Sequence, residues 1–451
     1  MKTIRILICV LLGAGCLAEG LAQDAQTALT VEAAVALALA RNPEILVALA
    51  QRDELVGRIK EIRSEAFPQV TFEGSGLRMR DPSILNSSSF DNVPQEFRDA
   101  LVPVASNMFD LGLTVKQPLW TAGKIRTAVK LAEESLAERN AVSESVRQQL
   151  AFRVLQAFNE LFLMEANRDV VRETRQQRLE HLQQAQGLFD SGVATEIDVL
   201  RSKVNVANME PDLIRAENRV RLARAEINKL IMEDLEAPTK IAGGLEYKPW
   251  DAGILGDVQK QALELRPELQ AARRQVQQAR LTLALANAQN KLTVDMDGHY
   301  GYSVREIQNM FDNDYSRWNI TVNFKLPVYD GGRKAGLMIQ AQARLRAAEQ
   351  SLAQLENDCR LEVKRAYDDM ETFSKAISAA RLSVQQAEKV RTLMQANYKY
   401  GAATTLDVTD SQTALVEARN SEIAATYQYE MAKARLRLAS GSPILDREVI
   451  R

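Results

Sequence analysis

The sequence has 451 residues, of which 46% are hydrophobic and 26% charged, and its formal net charge is -2. This near balance gives no reason to expect nucleic acid as a partner. The chain has two His and three Cys, and only Cys359 lies beyond the first sixteen residues, so we expect no intrachain disulfide. We find no nucleotide-binding loop, nucleophile–base pair or metal-ligand spacing, which argues against an enzyme, a metal or another cofactor.

The N-terminus has the pattern of a secretory signal. Two basic residues precede the apolar run 6–17, which is followed by small residues. This pattern predicts a signal peptide over residues 1–22, cleaved after Ala22. Lipidation after cleavage before Cys16 is an alternative, although Gly13 occupies the position where Leu is usual. No later stretch reaches the roughly 20 apolar residues of a spanning helix, so we expect an exported chain without a transmembrane helix.

The chain repeats itself at a constant offset. Residues 117–123, QPLWTAG, align with residues 326–332, LPVYDGG, and match at Pro and at the last Gly. The same offset maps SGVATEIDVLR, residues 191–201, onto YGAATTLDVTD, residues 400–410. Self-similarity of this kind indicates a duplicated architecture.

The duplication predicts the division of the chain. Each repeat is expected to contain a helix, two strands, a long helix, a tight turn and a final helix. The predicted parts are a signal peptide 1–22, a first repeat 23–232, a linker 233–255 that breaks the helical pattern, a second repeat 256–441 and a C-terminal tail 442–451.

Four segments alternate between apolar and polar residues, as strands with two different faces do. They are residues 70–79, 109–115, 294–302 and 318–326, and polar loops over 80–99 and 305–316 separate the members of each pair. One interpretation is two hairpins packed face down on a soluble domain. The other is the wall of a transmembrane barrel. Four strands cannot close a barrel and open edges are not tolerated in lipid, so several chains would have to share one barrel.

The long helices are predicted from the absence of proline, which costs a helix interior about 3 kcal/mol. No proline lies between Pro118 and Pro211 or between Pro327 and Pro443, and residues 334–399 contain one weak helix former, Gly. The apolar residues of 334–399 recur every three or four residues, which predicts a coiled-coil seam with one stutter. The seam consists of Ala341, Leu345, Ala348, Leu352, Leu355, Cys359, Val363, Ala366, Met370, Phe373, Ile377, Ala380, Val384 and Ala387.

Each turn between helices has a glycine suited to positive φ, then a threonine placed as an N-cap, then an aspartate three residues later. The last two form a variant of the capping box, and the acid also favours the helix N-terminus electrostatically. These residues are Gly192, Thr195 and Asp198 in the first turn and Gly401, Thr404 and Asp407 in the second.

The repeat, the two junction motifs and the paired Gly-x-x-Thr-x-x-Asp turns resemble those of the TolC-type outer-membrane efflux and secretion channels, over residues 30–441. The resemblance implies a mainly α fold with a small β part. Duplicated coiled-coil hairpins would form an α-barrel, and four transmembrane strands per chain would contribute to a trimeric 12-stranded β-barrel. It also implies a passive exit duct of a tripartite efflux pump or type I secretion system, in outer-membrane lipid and reaching into the periplasm, docked to a periplasmic adaptor and an inner-membrane transporter.

The resemblance also implies roles for particular residues. Asp407 and Asp410 match the acidic ring that narrows the periplasmic entrance of such channels. Asp198 is placed with them, although capping alone explains its position. Tyr398 matches a residue that ties the closed entrance. Ala403 stands where the family can have an Arg, so that part of the tie is missing here.

The remaining implied sites are the tips and the junctions. The tips, against which adaptor hairpins dock in the family, are Gly192, Val193, Ala194, Gly401, Ala402 and Ala403. The strand–helix junctions are marked by Pro118, Gly123, Pro327 and Gly332.

Other residues have simpler interpretations. His299 alternates with strand apolar residues and is expected to face a wet lumen rather than to bind metal. His181 lies in the polar run QQRLEHLQQAQ and is expected on a solvated helix face, whereas Cys359 on the seam is expected in the core. The main alternative to the channel is a soluble periplasmic coiled-coil adaptor or tether.

Overall fold

The computed structural model describes residues 28–79, 94, 96–97 and 106–444. The predicted signal peptide, most of the loop 80–99 and the end of the tail lie outside them. The first half comprises α1 Val31–Arg41, α2 Pro43–Ser64, β1 Gln69–Met79, β2 Ser106–Trp120, α3 Lys124–Asp190, α4 Glu196–Ala207 and α5 Met209–Leu230. The second half comprises α6 Leu255–Leu265, α7 Pro267–Asn287, β3 Thr293–Val304, β4 Ser316–Lys325, α8 Arg333–Lys399 and α9 Thr405–Ala439.

A proline breaks the first helix of each half. Asn42 ends α1 and begins α2, and its side chain accepts a hydrogen bond from the N–H of Glu44 at 3.0 Å. Pro43 takes the first position of α2, where its missing N–H costs no bond. The break recurs between α6 and α7 at Arg266 and Pro267. Within the described residues, no single helix is long and apolar enough to cross a membrane, although α1 and α2 meet that test jointly as a pair bent by 45°.

The helix expected over residues 334–399 is α8, which has 67 residues and is therefore roughly 100 Å long. Every residue of its predicted seam is buried or half-buried. Cys359, Val363 and Ile377 are 3%, 0% and 1% exposed, which confirms that the thiol belongs to the core. The first half has a helix of the same length, α3. Neither helix contains a proline, as expected.

The return helix is continuous in the second half and broken in the first. α9 has 35 residues, whereas the segment expected as one helix after the first turn divides at Asn208 into α4 and α5. Pro211 lies in the first turn of α5, where it is tolerated but cannot donate to the carbonyl of Ala207. The matching position in α9 is Asn420, so that helix continues.

The four strands form one antiparallel sheet in the order β1-β2-β3-β4. Val70 lies opposite Val115, Leu113 opposite Tyr300, and Tyr300 opposite Trp318. Because side chains alternate along a strand, this register places most apolar residues of the four strands on one face and most polar residues on the other, with Leu77, Met79 and Met108 as exceptions on the polar face.

The strand β2 extends beyond its predicted end. It has 15 residues and continues through Pro118 to Trp120, where its pairing with β3 is irregular. Proline cannot donate to a ladder and is tolerated at such a bulge near a strand end.

The apolar face of the sheet does not pack on the rest of the chain. Phe72, Trp318, Ile320 and Phe324 are 70%, 70%, 67% and 70% exposed. The interpretation of two hairpins lying face down on a soluble domain of this chain is therefore wrong.

Each half has its own hydrophobic core. The first is built around Leu150, Phe158 and Leu161 of α3 and includes residues of α1 and α5. The second is built around Val363 and Ile377 of α8 and includes residues of α6, α7 and α9. Full burial of such side chains contributes about 1.5–3 kcal/mol each, so each long helix is stabilised by the shorter helices of its own half.

The segment between α5 and α6 crosses from one half to the other without helix or extended strand, as its composition predicted. Leu29 forms a parallel bridge with Ile241. The hydroxyl of Tyr429 accepts a hydrogen bond from the N–H of Trp250 at 3.0 Å. Ile444, the last described residue, is 4% exposed. The connecting segment and the start of the tail are thus packed against the helices.

Candidate functional site

Two turns join the long helices to their return helices. Gly192 and Gly401 have φ values of 78° and 71°, which confirms the expected left-handed conformation. The N–H of Gly192 donates to the carbonyl of Phe189 at 2.8 Å, and that of Gly401 donates to the carbonyl of Tyr398 at 3.1 Å. A Cβ at either glycine would meet no atom within 4 Å. Backbone conformation, rather than space, therefore favours glycine here.

Capping boxes begin both return helices, as predicted. Asp407 accepts hydrogen bonds from the N–H and the hydroxyl of Thr404 at 2.8 and 2.6 Å, and its own N–H donates to that hydroxyl at 3.2 Å. Thr195 and Asp198 repeat the arrangement at 3.2, 2.7 and 3.3 Å. The hydroxyl bonds are the main reason why the pKa of each carboxyl lies below its usual value. Both groups are therefore carboxylates at neutral pH.

The second turn has a second acid. Asp407 and Asp410 are three residues apart on α9, so they lie on the same side of the helix, and both are exposed. The first half has Arg201 where the second has Asp410. An exposed acidic pair at this three-residue spacing is therefore specific to the second turn, although the first turn has Glu196 and the half-buried Asp198.

Tyr398 lies beneath the second turn rather than on its surface. It is 6% exposed, and its hydroxyl accepts a hydrogen bond from the hydroxyl of Thr405 at 3.3 Å. Its ring packs against His181 of α3, with the ring centroids 4.8 Å apart. Because His181 is 4% exposed, its expected place on a solvated helix face is wrong.

The buried position of His181 had a signal in the sequence. Thr174, Arg178, His181 and Ala185 follow one another at steps of four, three and four, the spacing of a seam. Thr174 and Ala185 are 5% and 0% exposed. The spacing of these four residues therefore indicated a buried position for His181, although the residues around it are mostly polar.

Another contact between the halves was not anticipated. The side-chain amide of Asn205, on α4, donates to the hydroxyl of Thr409, on α9, at 3.4 Å. The guanidinium of Arg178 donates to the backbone carbonyl of Asn205 at 3.1 Å. The two turns are thus neighbours in space, and their return helices touch.

The six tip residues differ in exposure. Val193 is 68% exposed, and the two glycines and Ala402 are also exposed, whereas Ala194 and Ala403 are half-buried. Small side chains leave the backbone of both turns open to close approach.

The junction residues lie at the ends of the strands. Gly123 and Gly332 directly precede α3 and α8 and have left-handed φ values of 79° and 87°. Pro118 lies inside β2, and Pro327 lies two residues after the end of β4. In the second junction, the carboxylate of Asp330 accepts hydrogen bonds from the N–H of Gly332 at 3.0 Å and from the N–H of Lys334 at 2.9 Å.

His299 lies on the polar face of the sheet, as its alternation predicted. It is half-buried, and its Nδ1 lies 3.2 Å from the hydroxyl of Thr114 on β2. A Cβ at Gly112 would come within 2.7 Å of the imidazole. Glycine at this position of β2 therefore leaves the space that the ring occupies.

The chain is similar to known proteins along most of its length. The family model described as "Outer membrane efflux protein" matches residues 34–231 and 258–442, so each matched part contains one of the two turns. Outer membrane protein TolC of Vibrio cholerae serotype O1 is 24% identical over 412 residues, which are 89% of this chain and 88% of that protein. Alkaline protease secretion protein AprF of Pseudomonas aeruginosa is 25% identical over 335 residues, 73% of this chain and 69% of that protein.

The fold is also similar to that of solved structures. A membrane protein from Pseudomonas aeruginosa superposes with a TM-score of 0.80 at 19% identity, covering 92% of this chain and 94% of that one. Such a likeness at low identity shows that the mainly helical architecture with its small sheet is shared.

Proposed function

The chain belongs to the outer membrane efflux protein family, and we propose from this premise that three copies form one exit duct through the outer membrane. The protein is an outer-membrane efflux or secretion channel that extends into the periplasm. In the proposed assembly it is a passive conduit that needs no cofactor and catalyses no reaction. The work of transport is done by an inner-membrane transporter, which a periplasmic adaptor couples to the duct.

The observation that carries the proposal is the sheet. Its apolar face is exposed, and its edge strands β1 and β4 are exposed along their whole lengths of 11 and 10 residues. Lipid has no hydrogen-bonding groups for open edges, so a wall in a membrane must close. Pairing β4 of one copy with β1 of the next would close three sheets into twelve strands. The apolar face would then meet lipid, and the polar face, with His299 and Thr114, would line the lumen.

The helices supply the periplasmic part of the duct. Three residues separate β2 from α3 and seven separate β4 from α8, and the two helices are each roughly 100 Å long. A barrel of strands therefore continues directly into a barrel of helices. We propose that the predicted division of the chain, two repeats joined by the linker 233–255, corresponds to two helical hairpins around an equatorial belt.

The turns lie at the end of the helices farthest from the sheet, and we assign the periplasmic entrance to them. Asp407 and Asp410 of three copies would place six carboxylates around one axis. Such a ring favours cations. Asp198 and Tyr398 would support this constriction from behind, Asp198 as a cap and Tyr398 through its buried contacts.

Recordings in planar lipid bilayers test the duct and its ring. We expect the purified chain to form cation-preferring channels, and Asp410→Asn to weaken that preference while leaving the capping box of Asp407 intact. Glu196→Ala removes an exposed acid from the first turn and is the matched control. Unchanged ion selectivity in Asp410→Asn would show that this residue does not line the constriction. A protein that is monomeric after extraction in detergent would contradict the proposal that three copies share one barrel wall.

The tips are proposed as the docking surface for the adaptor. Val193→Arg and Ala402→Arg should reduce efflux or secretion in cells without changing assembly in the membrane, because a long charged side chain prevents close approach of another backbone. Gln183→Arg, at an exposed position on the side of α3, is the control. Full transport in both tip variants would place docking elsewhere.

A further inference from the structure

His181 forms a contact between the two helical hairpins. The first hairpin consists of α3, α4 and α5, and the second of α8 and α9. The ring of His181, on α3, packs against the ring of Tyr398, on α8, at a centroid distance of 4.8 Å and an interplanar angle of 53°. Both side chains are buried, at 4% and 6% exposure. The contact lies eleven residues before Gly192 and three before Gly401, so it is close to both turns.

The imidazole has a poor environment for a charge. Among the described residues, neither Nδ1 nor Nε2 of His181 has a hydrogen-bond partner, and both atoms are buried. A neutral ring leaves one N–H donor without a partner, whereas a protonated ring leaves two and adds a buried charge. Burial accordingly lowers the pKa of His181 below its ordinary value of 6.5.

The groups around His181 compensate only in part. Asp198 of α4 favours the protonated form, but this effect is smaller than that of burial, and its carboxylate is already engaged in the capping box. α8 contributes the phenol of Tyr398, and α9 contributes the uncharged hydroxyl of Thr405, which donates to that phenol. On α3 itself, Arg178 lies one turn earlier, and burial lowers the pKa of its guanidinium.

We propose that His181 is a positioning residue that holds the two hairpins together near their turns only while its ring is neutral, so that mild acid separates them. Because the separated state binds more protons than the packed state, packing weakens as the pH falls below about 6.5 and is restored above it. The proposal that the two hairpins separate in acid does not depend on the proposed function. The further consequence, that their separation widens a channel entrance, does depend on it.

The first test measures packing without requiring a channel. Thr409 of α9 is half-buried, and its hydroxyl lies 3.4 Å from the side-chain amide of Asn205 on the first hairpin, so Thr409→Cys is a reporter on the boundary between the hairpins. The rate at which a methanethiosulfonate reagent modifies this cysteine is measured in the full-length protein, once with His181 and once with His181→Phe. The ratio of the two rates is taken at the same pH, so that the pH dependence of the thiol's own reactivity cancels. We expect a ratio of about 1 near pH 8 and a ratio clearly above 1 near pH 5, because only the native imidazole can take up a proton there and so favour the separated state.

Phenylalanine retains the ring contact but cannot ionise, so equal rates at both pH values would overturn the proposal. Should His181→Phe fail to assemble, His181→Leu provides the uncharged comparison.

The second test measures conductance in planar bilayers over the same pH range. We expect acid to raise the conductance of the native chain and not that of His181→Phe. His299→Asn is the matched control, because the chain has only these two histidines, and it should retain the acid response. An acid response that persists in His181→Phe overturns the proposal. If the native chain forms channels whose conductance does not change with acid, the proposed role of His181 is overturned and the proposed exit duct is retained. If the thiol becomes exposed in acid but no channels form, only the proposed exit duct is refuted.

Discussion

The two hairpins begin alike and end differently. Each has a long helix of 67 residues, a left-handed glycine and a capping box with the same three hydrogen bonds. Beyond the cap, the first hairpin returns through two helices separated at Asn208, whereas the second returns through one helix of 35 residues. The duplication has thus preserved the backbone chemistry of the turn, while the return helices have diverged.

The divergence has an identifiable cause. Pro211 and Asn420 occupy matching positions, and only the first is unable to donate a helical hydrogen bond. Arg201 and Asp410 also match, so only the second turn has two carboxylates three residues apart on one side of the return helix, whereas the acids of the first turn, Glu196 and Asp198, are two residues apart. The comparison indicates that the second hairpin differs by its continuous return helix and by two carboxylates three residues apart on one side of that helix, which suits the lining of an entrance.

The largest expected effect comes from giving α9 the proline of the first half. Asn420 is exposed, so Asn420→Pro removes no buried side chain, but a proline in a helix interior costs about 3 kcal/mol. We expect α9 to break as α4 and α5 do, with a lower resistance to urea and less helix by circular dichroism. Pro211→Asn, the reverse exchange, should change stability by less than about 1 kcal/mol, because proline is tolerated in a first turn. Equal losses in both variants would contradict this cause of the break.

A smaller effect is expected where the first half anchors the connecting segment. Asn228 is fully buried, donates to the carbonyls of Leu235 and Ala237 at 3.2 and 3.0 Å, and accepts from the hydroxyl of Thr239 at 2.7 Å. Asn228→Ala removes three hydrogen bonds made by a fully buried side chain, and we expect a loss of about 2–3 kcal/mol in the free energy of unfolding. The matching residue is Arg437, which is not fully buried, so Arg437→Ala should cost less in the same assay.

The capping boxes should contribute equally in the two turns. Thr195→Ala and Thr404→Ala each remove the acceptor of the capping N–H, and we expect a loss of about 1 kcal/mol from each. Thr→Ser at either position should restore most of it, because the hydroxyl is retained. Urea denaturation measures both effects, and a clear difference between the turns would show that their surroundings, rather than their caps, dominate.

The smallest effect is the acid dependence of these caps. The pKa values of Asp198 and Asp407 lie below the ordinary 3.8 in the folded chain. Their contribution to stability is therefore complete above about pH 3.8 and is lost as the pH falls through the lower folded values. Thr404→Ala should remove the part due to Asp407 from a stability profile measured below pH 4, while leaving the profile near pH 7 parallel to that of the native chain.

Much of the fold could be predicted because it depends on local patterns that recur. The seam of α8, the turns and the alternation of the strands follow from spacing and backbone chemistry within a few residues. The break at Asn208 was not predicted. Pro211 alone does not locate it, because a proline can kink a continuous helix or occupy the first turn of a new one. The extension of β2 through Pro118 depends on its pairing with β3, which no local pattern contains.

The candidate site was predicted less completely than the fold. The caps at Asp198 and Asp407 were found because all their hydrogen bonds lie within three residues. The contact between His181 and Tyr398 joins residues 217 positions apart, and the contact between Asn205 and Thr409 joins residues 204 apart. Contacts between such distant residues depend on how the hairpins pack against each other. The polarity of the neighbouring residues alone led to the wrong prediction that His181 is exposed.

The separation of the two hydrophobic cores has a mechanical consequence. No residue of either cluster belongs to the opposite half, and the bonds that cross between α3 and α7 are polar, as in Ser145 with Glu268 and Glu138 with Gln278. Polar bonds of this kind exchange readily with water, whereas interlocked apolar side chains do not. The polar boundary between α3 and α7 can therefore rearrange more easily than the interior of either core, whereas the buried contacts of His181 with Tyr398 and of Asn159 with Met431 hold the two halves together elsewhere.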